Sequence, residues 1–191
     1  TLNSSYLDSR AKHTYINFEN RSNYLFNSSI EGIEESDLIL LIGTNPRFEA
    51  TILNSRIRKT YLKNKTEIFS LEDVGDLTYP YKVLENNSKV IDKIIKNEHN
   101  LSNKIASAEK PIIILGQSIL NSNNGPYIFE ELKKYLTSIN KIDDNWNALN
   151  ILSTDASAVG SYDLGIFSSN DGSNKTPVSY THLRAHETCH N

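Results

Sequence analysis

The residues best suited to chemistry sit where an apolar run gives way to charged sequence, in LILLIGTNPRFEA at 38–50. Five aliphatic residues end at Gly43, and Asn45 and Pro46 precede a helix-compatible stretch. An asparagine side chain accepts hydrogen bonds from the first free amides of a helix, and proline at the first helical position wastes no donor. The remaining amides and the helix dipole favour a negative group, and Arg47 adds a charge-assisted donor. Gly43, Thr44, Asn45, Pro46 and Arg47 are therefore the candidate anion-binding residues. The plainer alternative is ordinary strand-to-helix turn chemistry, because neither GxGxxG nor GxxxxGK[ST] is present.

Other reactive groups offer little. His13 and His99 stand at no spacing that recruits a partner and read as surface residues. Glu34 and Glu35, Glu130 and Glu131, and Asp143 and Asp144 are sequence neighbours, so each pair points to different faces and reads as solvated charge. Ser118 lacks the GxSxG nucleophile elbow, and no catalytic residue is assigned. The single cysteine, Cys189, lies among His182, His186 and His190, donor types that zinc prefers. However, PVSYTHLRAHET at 177–188 is similar to the in-frame translation of a common transposon-based sequencing adapter. Residues 177–191 therefore read as a foreign tail, and no metal ligand is assigned.

The elements that must position the loop follow from periodicity. With 191 residues, 38% of them hydrophobic, the chain supports one core of ordinary size, expected over residues 1–176. Residues 1–30 read as an irregular lead-in with room for one short helix, and 30–37 as an acidic turn. Asp37–Ile42 and 111–116 (PIIILG) are continuous aliphatic runs, the pattern of strands buried on both faces, and 66–71 is a weaker third strand. Residues 46–63 carry Ala50, Leu53, Ile57 and Tyr61 at helical spacing, with Arg56, Lys59 and Lys63 on another face. Further helices are expected over 88–98 and over 126–139, the latter burying Ile128, Phe129, Leu132, Leu136 and Ile139. Alternating strands and helices predict an α/β, doubly wound, mostly parallel sheet. The turns after Gly43 and Gly116 then crest one edge, where such folds bind ligands.

Charge sets limits on partners. The net charge of −3 supplies no global attraction for nucleic acid, which is not expected as a partner. No apolar run approaches the roughly 20 residues of a membrane span, so direct membrane insertion is not expected either. Locally, Arg47, Arg56, Arg58, Lys59, Lys63 and Lys65 outnumber Glu49. A solvated helix face explains Lys59 and Lys63, whereas Arg56 and Arg58, flanking an inward Ile57, suggest an interdomain or intersubunit contact. No methionine occurs among the residues, which reads as an internal fragment of a longer, AT-rich reading frame.

The stretch RSNYLFNSSIEGIEESDLILLIGTNPRFEATILNSRIRKTYL at 21–62, with DLTYPY, KPIIILGQS, WNALNIL and YDLG further on, resembles the large iron–sulfur subunit of respiratory complex I. More distantly it is similar to molybdopterin oxidoreductases, and the resemblance covers most of residues 6–166. It implies a Rossmann-type, molybdopterin-oxidoreductase-like domain in which Gly43 to Arg47 are the relic of a cofactor loop, with no cofactor bound by this stretch. The parent subunit would carry 2Fe-2S and 4Fe-4S clusters on cysteines of N-terminal domains that the chain lacks. Where relatives often have a cysteine, this chain has Ser9. The resemblance further implies partners among the peripheral-arm subunits and the cluster-bearing domains. It places the protein on the cytoplasmic face of a bacterial inner membrane or the matrix side of the mitochondrial one, in service of NADH:quinone oxidoreduction. Two alternatives are a functional, formate dehydrogenase-like molybdopterin enzyme and a stand-alone nucleotide-binding module.

Overall fold

Five consecutive aliphatic residues leave no wet face, and the first strand, β1 (Leu38–Ile42), is buried along its whole length. The other strands are β2 (Glu67–Ser70), β3 (Lys82–Val83), β4 (Pro111–Gly116) and β5 (Leu149–Leu152). The computed structural model describes residues 14–85 and 89–166. In it the strands form one sheet ordered β3-β2-β1-β4-β5. Every pairing is parallel, with Leu40 opposite Phe69 on one side and Ile113 on the other.

Parallel neighbours need crossover connections, and helices supply them. In chain order the helices are α1 (Ser29–Gly32), α2 (Pro46–Glu49), α3 (Thr51–Asn64), α4 (Lys89–Ile95), α5 (Asn100–Ser107), α6 (Gln117–Leu120), α7 (Gly125–Ser138) and α8 (Ala158–Asp163). Because side chains alternate along a strand, Leu38, Leu40 and Ile42 join the core formed by α4, α5 and α7. Ile39 and Leu41 instead join Leu53 and Ile57 of α3, together with Ile33, Leu77 and Tyr79. Both faces are thus covered, as the doubly wound expectation requires, and the sheet is wholly rather than mostly parallel. Thr14–Thr154 form one compact unit; the described residues from Asp155 on, carrying α8, belong to a second.

Several boundaries differ from those that periodicity predicts. The single helix expected over 46–63 is broken at Ala50, whose φ of −152° and ψ of 71° are not helical. Alanine is the best helix former, so propensity gives no sign of the break; tertiary ties on α2, described below, override it. The helix expected over 88–98 stops at Ile95, because Asn97 adopts a left-handed φ of 60°. His99 is not merely a surface residue: its Nδ1 accepts from the Leu101 amide at 3.1 Å and caps α5, which the short, polar NLSNKIAS conceals. The acidic turn at 30–37 holds the end of α1 and a 3-10 turn over Ile33–Glu35, with Ile33 fully buried.

Two strands have no counterpart among the expected elements. β3 is a two-residue, exposed edge strand, a length that blunts edge-to-edge association but leaves no periodicity to read. The apolar pattern of β5, though not the strand itself, is interrupted by Asn150, which is fully buried yet satisfied: its Oδ1 accepts from the Ser28 amide at 2.8 Å and its Nδ2 donates to Ser28 Oγ at 2.9 Å. Ser9, His13 and the whole stretch from 177 to 191, with Cys189 and its three neighbouring histidines, lie outside the described residues.

Candidate functional site: the loops at the switch point

β1 leads outward to β2, and β4 leads outward the other way to β5, so strand order reverses between β1 and β4. The crevice used for ligands in open α/β sheets lies outside the carboxyl ends of that pair. The turn after Gly43 and the turn after Gly116 meet there, as the paired aliphatic runs imply.

They meet in direct contact. Gly43 has a φ of +62°, a conformation that glycine adopts without penalty. A Cβ on Gly43 would lie 2.8 Å from Ser118 Oγ, and one on Gly116 would lie 2.1 Å from the Gly43 carbonyl oxygen. Ser118 Oγ donates to that same carbonyl. The second loop is tied down as well: Gln117 Nε2 donates to Thr14 Oγ1 at 3.2 Å, and its Oε1 accepts from Thr154. Main chain and short side chains of the protein itself therefore fill the point where the two strands diverge.

The helix cap forms as expected. Asn45 Oδ1 accepts from the Arg47 amide at 3.2 Å, with Pro46 in the first turn. The negative group beside it is one that residue types alone do not reveal. Glu49 folds back so that Oε1 accepts from the Asn45 amide at 3.2 Å and Oε2 from Thr44 Oγ1 at 2.7 Å. This is the reciprocity of a capping box with the acid one position later. Asn45 Nδ2 donates to the Val74 carbonyl at 2.8 Å. Arg47 does not wait for a ligand: its Nη1 meets both the Asp76 carboxylate and the Asp76 carbonyl at 2.6 Å. These ties anchor α2 to residues 74–76 and account for the break at Ala50.

One further polar pair joins two of the motif segments. The half-turn from α2 into α3 brings Asn54 under the DLTYPY stretch, where its Nδ2 donates to the Leu77 carbonyl at 3.0 Å and its Oδ1 accepts from Tyr79 Oη at 2.7 Å. Both residues are buried, and burial pushes the Tyr79 phenol well above its ordinary value, so it remains a donor. Asn54→Ala is expected to cost about 1–3 kcal/mol in chemical denaturation, since it strands a buried hydroxyl and a buried carbonyl. Tyr79→Phe should cost less, and the double variant should be less destabilised than the sum.

The basic helix divides into two groups. Arg56 and Lys59 are engaged within the chain, since both pair with Glu34, Lys59 at 2.8 Å. Glu34 is therefore not solvated charge. Lys59 first, then Arg56, hold its carboxyl below its ordinary value of 4.5. A depressed carboxyl contributes stability that is present above the ordinary value and lost as pH falls through the folded one. The melting-temperature advantage of wild type over Glu34→Gln should accordingly shrink as pH is lowered from about 5 toward 3; a constant gap would remove the pair from the stability account. Glu130 and Asp143 are also engaged. Glu130 accepts from Tyr15 Oη at 2.8 Å, and Asp143 accepts from the Asn145 and Trp146 amides at 2.7 and 2.8 Å. Arg58 and Lys63 have no ion pair among the described residues.

Among the described residues there is no group of three or more histidine, cysteine, aspartate or glutamate side chains able to hold a metal, and no buried side-chain nitrogen or oxygen lacks a partner. The family model for Molybdopterin oxidoreductase matches residues 1–184. The chain belongs to that family. Its relatives within the family include the NADH-ubiquinone oxidoreductase 75 kDa subunit of Reclinomonas americana, 39% identical over 170 residues, covering 89% of this chain and 24% of the relative. The mitochondrial NADH-ubiquinone oxidoreductase 78 kDa subunit of Candida albicans is 36% identical over 164 residues, covering 85% and 22%. A bacterial relative, from the NADH-quinone oxidoreductase of Rickettsia bellii, is 36% identical over 145 residues, covering 76% and 21%. The chain thus spans between a fifth and a quarter of the length of these relatives.

Proposed function

We propose that the chain is a non-catalytic structural domain of the large iron–sulfur subunit of an NADH:quinone oxidoreductase. In this reading it packs in the peripheral arm against the cluster-bearing domains of its own polypeptide and against neighbouring subunits, while electrons pass from NADH to quinone through 2Fe-2S and 4Fe-4S clusters held elsewhere. The arm stands on the cytoplasmic face of a bacterial inner membrane or the matrix side of a mitochondrial one. The names of the relatives support the assignment of the whole protein. The absence of a span-length apolar helix among the described residues is compatible with it.

The observation that carries the non-catalytic part is the Glu49 carboxylate at the mouth of α2. The family name implies a pterin cofactor, and the crest residues do not fit a phosphate of that group. The site such an anion would take, beside the Asn45 amide and the Thr44 hydroxyl, already holds a carboxylate, and Arg47 is bound to Asp76. Gly43, Thr44, Asn45, Pro46 and Arg47 are then a relic loop that holds its own helix. Affinity purification of the full-length parent from membranes tests this reading. Co-purifying NADH:quinone oxidoreductase activity with iron and only substoichiometric molybdenum is expected, whereas stoichiometric molybdenum or absence of that activity overturns it.

A further inference from the structure

We infer that the outward face of α3 seats an acidic amphipathic helix contributed by another part of the same full-length polypeptide, an inference that rests on the reading above. Two apolar residues of that face, Ile52 and Leu62, are 69% and 58% exposed, and Phe48 of the preceding α2 is 79% exposed. Ile52, Ser55, Lys59 and Leu62 recur at spacings of three, four and three, which places them on one stripe of the kind that receives a second helix. Shallow grooves of about 490 Å³ and 480 Å³ flank its two ends, the first beside Phe48 and Ile52 and the second beside Ser55 and Leu62. Isolated exposed apolar residues are ordinary, but Ile52 shares its groove with Phe48 of α2 and lies on one stripe of α3 with Leu62, a grouping that marks a contact surface.

Charge identifies the occupant. From Thr51 to Lys65 the chain carries Arg56, Arg58, Lys59, Lys63 and Lys65 and no acidic residue. Glu34 neutralises part of this, and Lys65 lies 5.2 Å over the Tyr61 ring. Arg58 and Lys63, which border Leu62, are left without an ion pair among the described residues, so the rim at the Leu62 end of the stripe is positive and suits a partner with glutamate or aspartate at that end. Size identifies the source. The 14 residues of α3 span about 21 Å at roughly 1.5 Å per residue, one helix face, which falls short of the roughly 800 Å² per partner that stable independent complexes bury. A tether raises the effective concentration to the millimolar range and makes such a small contact sufficient. The relatives carry about three quarters of their length outside the matched span, ample for such a segment.

The test is photo-cross-linking in the intact parent with p-benzoylphenylalanine in place of Leu62, and separately in place of Tyr127 on α7 as a reference. The Leu62 probe is expected to cross-link within the same polypeptide to a helix rich in acidic residues that the Tyr127 probe does not reach. Arg58→Glu with Lys63→Glu should lower that yield about fivefold or more at unchanged melting temperature, and Arg58→Gln with Lys63→Gln should lower it less. Capture of a separate subunit, no capture, or a yield indifferent to charge reversal overturns the inference. NADH:quinone oxidoreductase activity is scored separately on the same preparation. Intramolecular capture without that activity would sink the proposed function and leave the docking surface standing.

Discussion

Gly116→Ala is expected to lower the melting temperature by about 10 °C. Gly116 has a φ of −85° and a ψ of 166°, extended backbone that alanine adopts freely, so the cost is steric rather than conformational. The added Cβ would fall 2.1 Å from the Gly43 carbonyl oxygen and 2.6 Å from Thr44 Cβ. Neither can swing aside as the tip of a long side chain would, because Gly43 is main chain at the end of the central strand and Thr44 is 2% exposed. Overpacking of this kind costs typically 1–3 kcal/mol and sometimes more. With the clash on backbone, about 3 kcal/mol is expected, and each kcal/mol moves the midpoint by roughly 2–4 °C in a chain of this size. Gly160→Ala is the matched control: a Cβ there meets nothing within 4 Å, and the position is inside α8. Alanine at that site should be neutral or slightly stabilising. Equal melting curves for wild type and Gly116→Ala would show that the two crest loops do not touch.

Phe129→Ala is expected to cost about 3–5 kcal/mol, the range for truncating a buried aromatic ring. Phe129 is 1% exposed, lies on the sheet-facing side of α7, and forms a T-shaped pair with the Tyr15 ring at a centroid distance of 5.9 Å. The cavity left behind would border the ring that fastens the lead-in segment to α7. That segment is also held by the Tyr15 amide, which donates to the Leu120 carbonyl at 3.1 Å, and by the Tyr15 hydroxyl on Glu130. The loss should therefore appear twice: in the denaturation midpoint, and in faster hydrogen exchange of the Tyr15 amide than of amides in β1. Phe129→Leu, which keeps most of the volume, should cost less than about 1.5 kcal/mol. A midpoint for Phe129→Ala within about 1 kcal/mol of wild type, a size typical of surface changes, would place the ring outside the core.

The central architecture is legible in LILLI and PIIILG because a continuous aliphatic run has one stable home, between two helical layers, and both strands occupy it. The Asn45 cap is legible for a related reason: it needs only local geometry, and it forms as expected. What stays hidden depends on partners distant in sequence or on backbone breaks that no residue type announces. Glu49 becomes the anion of the loop only through the one turn of α2, and Glu34 meets its cations across 22 and 25 residues. Asn150, a polar residue inside a strand, reads as an interruption until Ser28 is seen opposite it. The motif segments at 54 and 77–79 are recognisable as motifs, whereas the reason they travel together, one buried amide bonded to both, requires the fold.

The placement of β1 between β2 and β4 bears on how the polypeptide is made. Its first neighbour is complete by residue 70 and its second only by residue 116. At roughly 5–20 residues per second a ribosome needs several seconds to deliver the intervening length. Throughout that interval one side of a wholly aliphatic ribbon lacks its cover. Transiently exposed apolar surface and unpaired strand edges are aggregation-prone, and segment 38–42 is where a chaperone would be expected to grip the nascent chain.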